Sequence, residues 1–307
     1  MKPKITIGVC VKDGEHLIEY AIKSILGQDY PHELMQVIFV DDGSTDKTLS
    51  IIKSYAPKMD MKVQIFHHKW KGLGYSRNIV INNAEGDFIL WVDGDMVLSK
   101  DFVSKLVKFM EQHPKVGIAK GKQAFEPGGN LLATLEAYSR AVSRMVDYQS
   151  ENARLKSLGT GGAIYRLEAT RQIGGFDKNL KGYGEDFDIE IRFRKNGWLL
   201  ATTNAYFLDY ERCGLTWKNL WWRYWLRGYY LHYFSHKNKG FIKHYRMFPP
   251  SAFVLGFLHA KKLFQITRKK MVFLLPLQYL YKATAWYFGF IRSHMNGYAP
   301  EKFESRR

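Results

Sequence analysis

Phe88-Ile89-Leu90-Trp91-Val92-Asp93-Gly94-Asp95 is the stretch from which the fold is read. Its first five residues form an apolar run, and Asp93-Gly94-Asp95 closes the run with turn-forming residues, so it predicts a buried strand ending in two carboxylates. Working outward toward the N-terminus, the same unit recurs. Ile5 to Val11 predicts a strand, followed by an amphipathic helix over Glu15 to Gly27 with Leu17, Ile18, Ala21, Ile22, Ile25 and Leu26 at helical spacing. Val37 to Val40 predicts the next strand, then a helix over Thr48 to Tyr55, a strand over Val63 to Phe66 and a helix over Tyr75 to Asn83. Strands alternating with helices predict an α/β fold with a mainly parallel central sheet flanked by helices. Ligands of such sheets bind beyond the carboxyl ends of the strands.

The candidate site residues fall at those ends. Asp41 and Asp42 open the segment Asp41-Asp42-Gly43-Ser44-Thr45-Asp46 after the second strand, and Asp93 and Asp95 follow the fourth. Two carboxylates separated by one glycine suit a hard divalent cation that also takes diphosphate oxygens and water. The same residues also suit a solvated turn, and Asp41 to Asp46 equally suits an Asx-type turn capping a helix. Gly72 and Gly74 precede Arg77 and Asn78 at an expected helix N-terminus, where backbone N–H groups and a guanidinium meet phosphate.

The chain has 307 residues, 46 Lys+Arg against 29 Asp+Glu, and 46% hydrophobic residues, which exclude a disordered or collagen-like chain. Cys10 and Cys213 make no disulfide framework, so a reducing setting is expected. The N-terminal apolar segment, interrupted by Lys12 and Asp13, is too short and polar for a signal peptide. Net charge is +17, and nearly all of it lies late: residues 1–211 balance to +1, whereas residues 212–307 carry 18 basic and two acidic residues. Those last 96 residues also hold 24 of the 47 aromatics.

The ordered set of markers resembles glycosyltransferase family 2, the inverting, nucleotide-sugar-dependent enzymes with the GT-A fold. The likeness covers roughly residues 4–230. It rests on the strand Ile5 to Val11, Asp41 to Asp46, Gly72 to Asn78, Asp93-Gly94-Asp95, Gly159-Thr160-Gly161-Gly162, Gly174-Gly175-Phe176-Asp177 and Gly182-Tyr183-Gly184-Glu185-Asp186. The resemblance implies that Asp42 binds the nucleotide base, that Arg77 approaches the base or diphosphate, and that Asp95 ligates Mn²⁺ or Mg²⁺ with Asp93 close to the ribose or metal. It implies Asp186 as general base, Glu185 as a contact to sugar or acceptor hydroxyls, Asp13 as a support for the nucleotide, and Gly161 and Gly162 in a loop at the donor sugar. Cys10 replaces the Pro usual in the family. The segment Glu185 to Arg194 also reads as an ordinary helix with acids in its first turn and bases in its last, which accounts for Asp188 and Glu190. Gly159 to Gly162 would look the same as a plain turn. Where many members carry a His after the acid pair, this chain has Asp209 and Glu211, either an oxygen ligand or a surface acid; His232 and His236 read as interfacial rather than as ligands.

The expected organisation is a GT-A domain over 1–230 and a basic, aromatic, membrane-associating helical region over 231–307. Met271 to Ile291 spans 21 residues but contains Pro276, Gln278 and Lys282, so helices lying on an anionic membrane surface are favoured over a single span or a soluble packing face. The expected activity is metal-dependent transfer of a sugar from a nucleotide donor, UDP-sugar favoured, to a lipid-linked saccharide or other glycan at the cytoplasmic membrane face. Nucleic acid is disfavoured for want of a compact RNA-binding motif. The rival reading is a non-catalytic nucleotide-sugar-binding scaffold.

Overall fold

The computed structural model describes residues 3–124, 129–144, 157–209, 215–242 and 247–298. They fall into two compact units that interleave in sequence. The first comprises residues 3–124, 157–181 and 185–209; the second comprises 129–144, 182–184, 215–242 and 247–298.

The first unit follows the chain as β1 (Ile5–Val11), α1 (Ile18–Leu26), β2 (Met35–Asp41), α2 (Thr48–Tyr55), β3 (Lys62–His67), α3 (Leu73–Asn83), β4 (Phe88–Trp91), β5 (Met96–Leu98), α4 (Phe102–Gln112) and β6 (Val116–Gln123). It later adds β7 (Ala163–Arg166), α6 (Leu167–Gln172), α7 (Glu185–Lys195) and β8 (Leu199–Asp209), whereas α5 (Leu131–Arg144) belongs to the second unit. The eight strands form one sheet in the order β3-β2-β1-β4-β7-β6-β8-β5. β3, β2, β1 and β4 pair in parallel, β7 is antiparallel to β4 and β6, β8 is parallel to β6, and β5 is antiparallel to β8.

Strand alternation builds a core on each face. Ile5, Ile7, Val9 and Val11 of β1, Val37 and Phe39 of β2, and Phe88 and Leu90 of β4 point to one side, where α1 and α4 contribute Ile18, Ile22, Ile25, Phe102 and Leu106. Ile38, Val40, Ile89 and Trp91 point to the other, with Val80 and Ile81 of α3 and Ile189 and Phe193 of α7. Gly8 in β1 is required because a Cβ there would sit 2.8 Å from both Trp91 and Val80. The predicted strands and helices up to β4 are all present, with ends displaced by a few residues at most.

The second unit is helical: α5, α8 (Trp217–Lys237), α9 (Pro249–Thr267) and α10 (Leu275–Met295). Residue 230, the boundary drawn from the sequence, falls inside α8. The Met271 to Ile291 run is a short 3-10 segment, Lys270–Leu274, followed by α10. No helix among the described residues is long and apolar enough to cross a membrane. Lys282, the cation inside that run, is buried with its Nζ 2.9 Å from Glu136 Oε2 and 3.1 Å from Ser139 Oγ. Glu136 also accepts the Tyr224 hydroxyl at 3.0 Å. Burial pushes the Glu136 carboxyl up, but Lys282 and Arg140 outweigh it and hold it at about 2.

α8 and α10 meet at two glycines. A Cβ on Gly228 would lie 1.9 Å from the Trp286 carbonyl oxygen, and one on Gly289 would lie 1.9 Å from that of Trp225. Either methyl forces the helices apart against packed aromatics, so Gly228→Ala and Gly289→Ala are each expected to destabilise by at least about 1–3 kcal/mol, read as a lowered Tm in thermal denaturation.

Candidate active site

The order β3-β2-β1-β4 places the carboxyl ends of β1, β2 and β4 side by side at the point where the strand order reverses. Each predicted residue can be placed there. Asp41, at the end of β2, is fully buried; one oxygen accepts from Ser44 and the other lies 2.6 Å from His67 Nδ1. Asp46 accepts from the Thr48 and Glu15 backbone N–H groups, so the outer acids of the Asp41 to Asp46 segment do the turn-making that an Asx reading expects. Asp13, at φ 50°, accepts from the Thr45 N–H at 2.8 Å and from Lys12, lacing the end of β1 to the same turn. Asp42 receives the Lys71 N–H at 2.8 Å on Oδ1 and the Gly72 N–H at 3.0 Å on Oδ2, with His68 Nδ1 3.4 Å from Oδ1. Burial raises its pKa while these donors oppose the rise. The loop so held leads into α3 through Gly72. Its φ of +92° demands glycine, and so does the Lys181 carbonyl oxygen, which would stand 2.4 Å from any Cβ at this position.

Arg77, on α3, is buried and pairs with Glu185 Oε1 at 2.7 Å. Its guanidinium also lies over Phe176 and Trp91, 5.3 and 5.9 Å from the ring centroids. Burial works against its charge, but the carboxylates Glu185, Asp93 and Asp186 act the other way and raise its pKa. Arg77 is thus the cation in the middle of the acid cluster. Burial and the adjacent Asp186 push the Glu185 carboxyl up against the pull of Arg77. Cys10 lies in the field of Arg77, Asp42 and Asp93; burial pushes its thiol up to about 12, leaving it without a reactive thiolate at neutral pH.

The glycine turn closes the site. Gly162 N–H donates to the Trp91 carbonyl at 2.8 Å, and a Cβ on Gly161 would lie 2.2 Å from Asp93 Oδ2, so only glycine lets that turn rest against the Asp93 carboxylate. A Cβ on Gly159 would lie 3.6 Å from Asp186 Oδ2 and 3.2 Å from Lys120 Nζ. Asp93, the glycine turn and Asp186 therefore form one continuous group, with Asp186 half-buried in the first turn of α7. Asp93 and Asp95 are likewise half-buried, hard oxygen donors that fit Mn²⁺ or Mg²⁺ completed by phosphate oxygens and water. In the sheet register Asp209 is the partner of Met96, the residue after Asp95; Glu211 lies outside the described residues.

Two residues of the site escape a sequence reading. Lys120, buried in β6, donates to the Leu158 and Gly159 carbonyls at 2.6 and 3.2 Å. Glu190, expected to serve helix electrostatics, does feel Arg194 four residues on, and it also accepts from Ser157 Oγ, Leu158 N–H and Gly159 N–H at 2.9 to 3.0 Å. Its position four residues after Asp186, on the same helix face, was the available signal. Asp188 does pair with Arg192 at 2.9 Å as its spacing expects.

Burial, with Asp186 adding to it, raises Glu190 from 4.5 to about 7. An acid whose folded pKa is raised favours folding below the unfolded value and loses that contribution as pH rises through the folded one. Stability is therefore expected to fall from this group between about pH 4.5 and 7, with a flatter profile in Glu190→Gln when Tm is followed against pH. Arg77→Met strands the buried Glu185 and is expected to cost about 3–5 kcal/mol in urea denaturation, most of it recovered by adding Glu185→Leu.

The family described as Glycosyl transferase family 2 matches residues 6–174. Among curated relatives, poly(ribitol-phosphate) beta-N-acetylglucosaminyltransferase TarS of Staphylococcus aureus is 34% identical over 110 residues, 36% of this chain and 19% of its own length. Putative glycosyltransferase EpsE of Bacillus subtilis is 27% identical over 202 residues, 64% of this chain and 68% of its own. Among solved structures, the mannosyltransferase PcManGT of Pyrobaculum calidifontis, in complex with GDP-Man and Mn²⁺, superposes with a TM-score of 0.66 at 16% identity, covering 96% of this chain and 88% of that one. Residues 1–349 of S. aureus TarS in complex with UDP-GlcNAc give 0.51 at 18% identity, covering 97% and 93%. These likenesses show the GT-A fold.

Proposed function

The chain belongs to glycosyl transferase family 2, and from that premise we propose that it is a metal-dependent, inverting hexosyltransferase whose general base is Asp186. The observation that carries the proposal is the continuity of Asp93, the Gly159 to Gly162 turn and Asp186 at the strand ends. Strand-end acids hold the donor side, the glycine turn admits the sugar at close range, and a half-buried carboxylate faces the turn from α7.

In a single displacement the acceptor hydroxyl oxygen forms its bond to sugar C1 on the face opposite the leaving group. The C1–O bond to the nucleoside diphosphate breaks with its electron pair on the diphosphate, and the hydroxyl proton passes to the Asp186 carboxylate. Asp95 and Asp93 would hold Mn²⁺ or Mg²⁺, which would stabilise charge on the leaving diphosphate. Glu185 accepts Arg77 on Oε1 and keeps a buried Oε2 with no hydrogen-bond partner, so its proposed contribution is to fix the first turn of α7, and hence the placement of Asp186, while Oε2 stays available to a sugar or acceptor hydroxyl. Asp42 and Asp13 act through the loops they hold, Lys69 to Gly72 and Ser44 to Asp46, as walls of the nucleotide pocket. The pairing of TarS with UDP-GlcNAc, in a protein that is also a sequence relative, supports a uridine donor over the GDP-Man of PcManGT. The acceptor class proposed is a lipid-linked saccharide or another glycan hydroxyl.

In a donor panel with Mn²⁺, nucleoside diphosphate release is expected for a UDP-sugar, is abolished by EDTA and returns with added Mn²⁺. Asp186→Asn is expected to lower kcat by about 10²–10⁴-fold with donor binding retained. Nucleotide binding by the wild type without turnover under every donor and acceptor would establish the scaffold reading instead.

The proposed place of work is an anionic membrane surface on the cytoplasmic face, and features of the second unit support the anionic surface. Val254, Phe257 and Leu258 are exposed on α9 beside exposed Lys261 and Lys262, and exposed Arg268, Lys269 and Lys270 follow. Apolar side chains entering the headgroup layer with lysines at lipid phosphates suit such a surface. Lys261→Glu with Lys262→Glu is expected to weaken sedimentation with anionic liposomes, and binding that is indifferent to both charge reversal and salt would remove the membrane assignment.

A further inference from the structure

Within the second unit, α8 and α10 run side by side in the same direction. Trp217 meets Tyr281 at 5.0 Å between ring centroids, Trp225 lies at Gly289, and Tyr229 stacks near Tyr298 at 6.4 Å, so residue numbers rise together along both helices. Their C-terminal ends consequently arrive at one place. His232 and His236 lie one turn apart at the end of α8, and His294 lies in the last turn of α10.

His232 Nε2 is 3.2 Å from His236 Nε2 and 3.2 Å from His294 Nδ1, and the three nitrogens all lie within 4.8 Å of one another. A ring nitrogen carries one in-plane proton or one in-plane lone pair. Hydrogen bonding alone therefore satisfies one of the two approaches to His232 Nε2, whereas a cation at their common focus receives all three lone pairs. The spacing fits: bonds of about 2.0–2.1 Å in tetrahedral geometry put ligand nitrogens about 3.3 Å apart. Two helix C-termini pointing the same way add the negative ends of two macrodipoles to the same spot. Phe290 packs against the His232 ring at 4.9 Å and covers one side, while His236 and His294 are exposed and leave a fourth position to water.

We propose that His232, His236 and His294 form a divalent metal site of the Zn²⁺ class that clamps the C-terminal ends of α8 and α10. Neutral imidazoles suit Zn²⁺ and its late first-row neighbours, whereas Asp93 and Asp95 offer the oxygens that Mn²⁺ and Mg²⁺ take. The chain thus separates two metals by donor type, and the histidine site rests on nothing in the transfer reaction.

The test is calorimetric titration of full-length, chelator-treated protein with Zn²⁺ alone, in an Asp95→Asn background so that the oxygen site is not counted. One Zn²⁺ per chain is expected, with Tm raised by excess metal as for any ligand of the folded state. His236→Ala and His294→Ala, both at exposed positions, are each expected to weaken binding by about tenfold or more and to remove the metal-dependent rise in Tm, with metal-free Tm and helical circular dichroism unchanged. Co²⁺ in place of Zn²⁺ should give visible absorption typical of low-coordinate nitrogen ligation in the parent and not in the variants. Absence of stoichiometric Zn²⁺, or binding undiminished in the doubly substituted chain, overturns the assignment.

Discussion

The buried ion pair between Arg77 and Glu185 joins residues 108 positions apart and is the constraint on which the site depends. It ties α3, which follows the loop held by Asp42, to the first turn of α7, which carries Asp186. A guanidinium taken out of water needs a paired, hydrogen-bonded partner, and Glu185 supplies one while Phe176 and Trp91 supply ring faces. Glu185 contacts this one cation, and Asp93 and Asp186 add to the field that favours its charge. Without it, the convergence of Glu185, Asp186 and Asp93 would be opposed by their mutual repulsion.

The second unit uses the same device for a different end. Lys282 and Glu136 form a buried pair joined by Ser139 and Tyr224, and the Lys282 ammonium lies 4.5 Å from the Tyr279 ring centroid. In a sequence reading this lysine interrupts an apolar run and counts against membrane crossing. In the structure its charge is matched inside a helical core. Basic residues on α9 and in the segment after it remain at the surface.

Elements up to β4 were legible because each is a run of β-branched or aromatic residues, or an amphipathic helix, punctuated by Asp and Gly. The later strands were not. β6 holds Gly117, Lys120 and Gly121 in eight residues, a composition that argues against a strand, yet Gly117 is there because the Phe193 ring would be 2.6 Å from a Cβ and Gly121 because Phe102 would be 2.5 Å away. β7 has only four residues, Ala163–Arg166, too few for a periodic signal. The motif acids were legible as a set, since Asp41 to Asp46, Asp93 to Asp95 and Glu185-Asp186 stand in family order. Their division of labour was not: Asp41 and Asp46 shape a turn, and Glu185 pairs with Arg77.

The sequence by itself determined the family, the α/β alternation and the strand ends at which the site acids lie, because these follow from local patterns of polarity and turn residues. Tertiary structure alone decided which oxygens are committed to backbone, that Glu190 and Lys120 hold the glycine turn, and that three histidines from two helices meet. Each of those outcomes depends on contacts between segments far apart in the chain. Periodicity reports which face a residue occupies, and only packing reports what stands opposite.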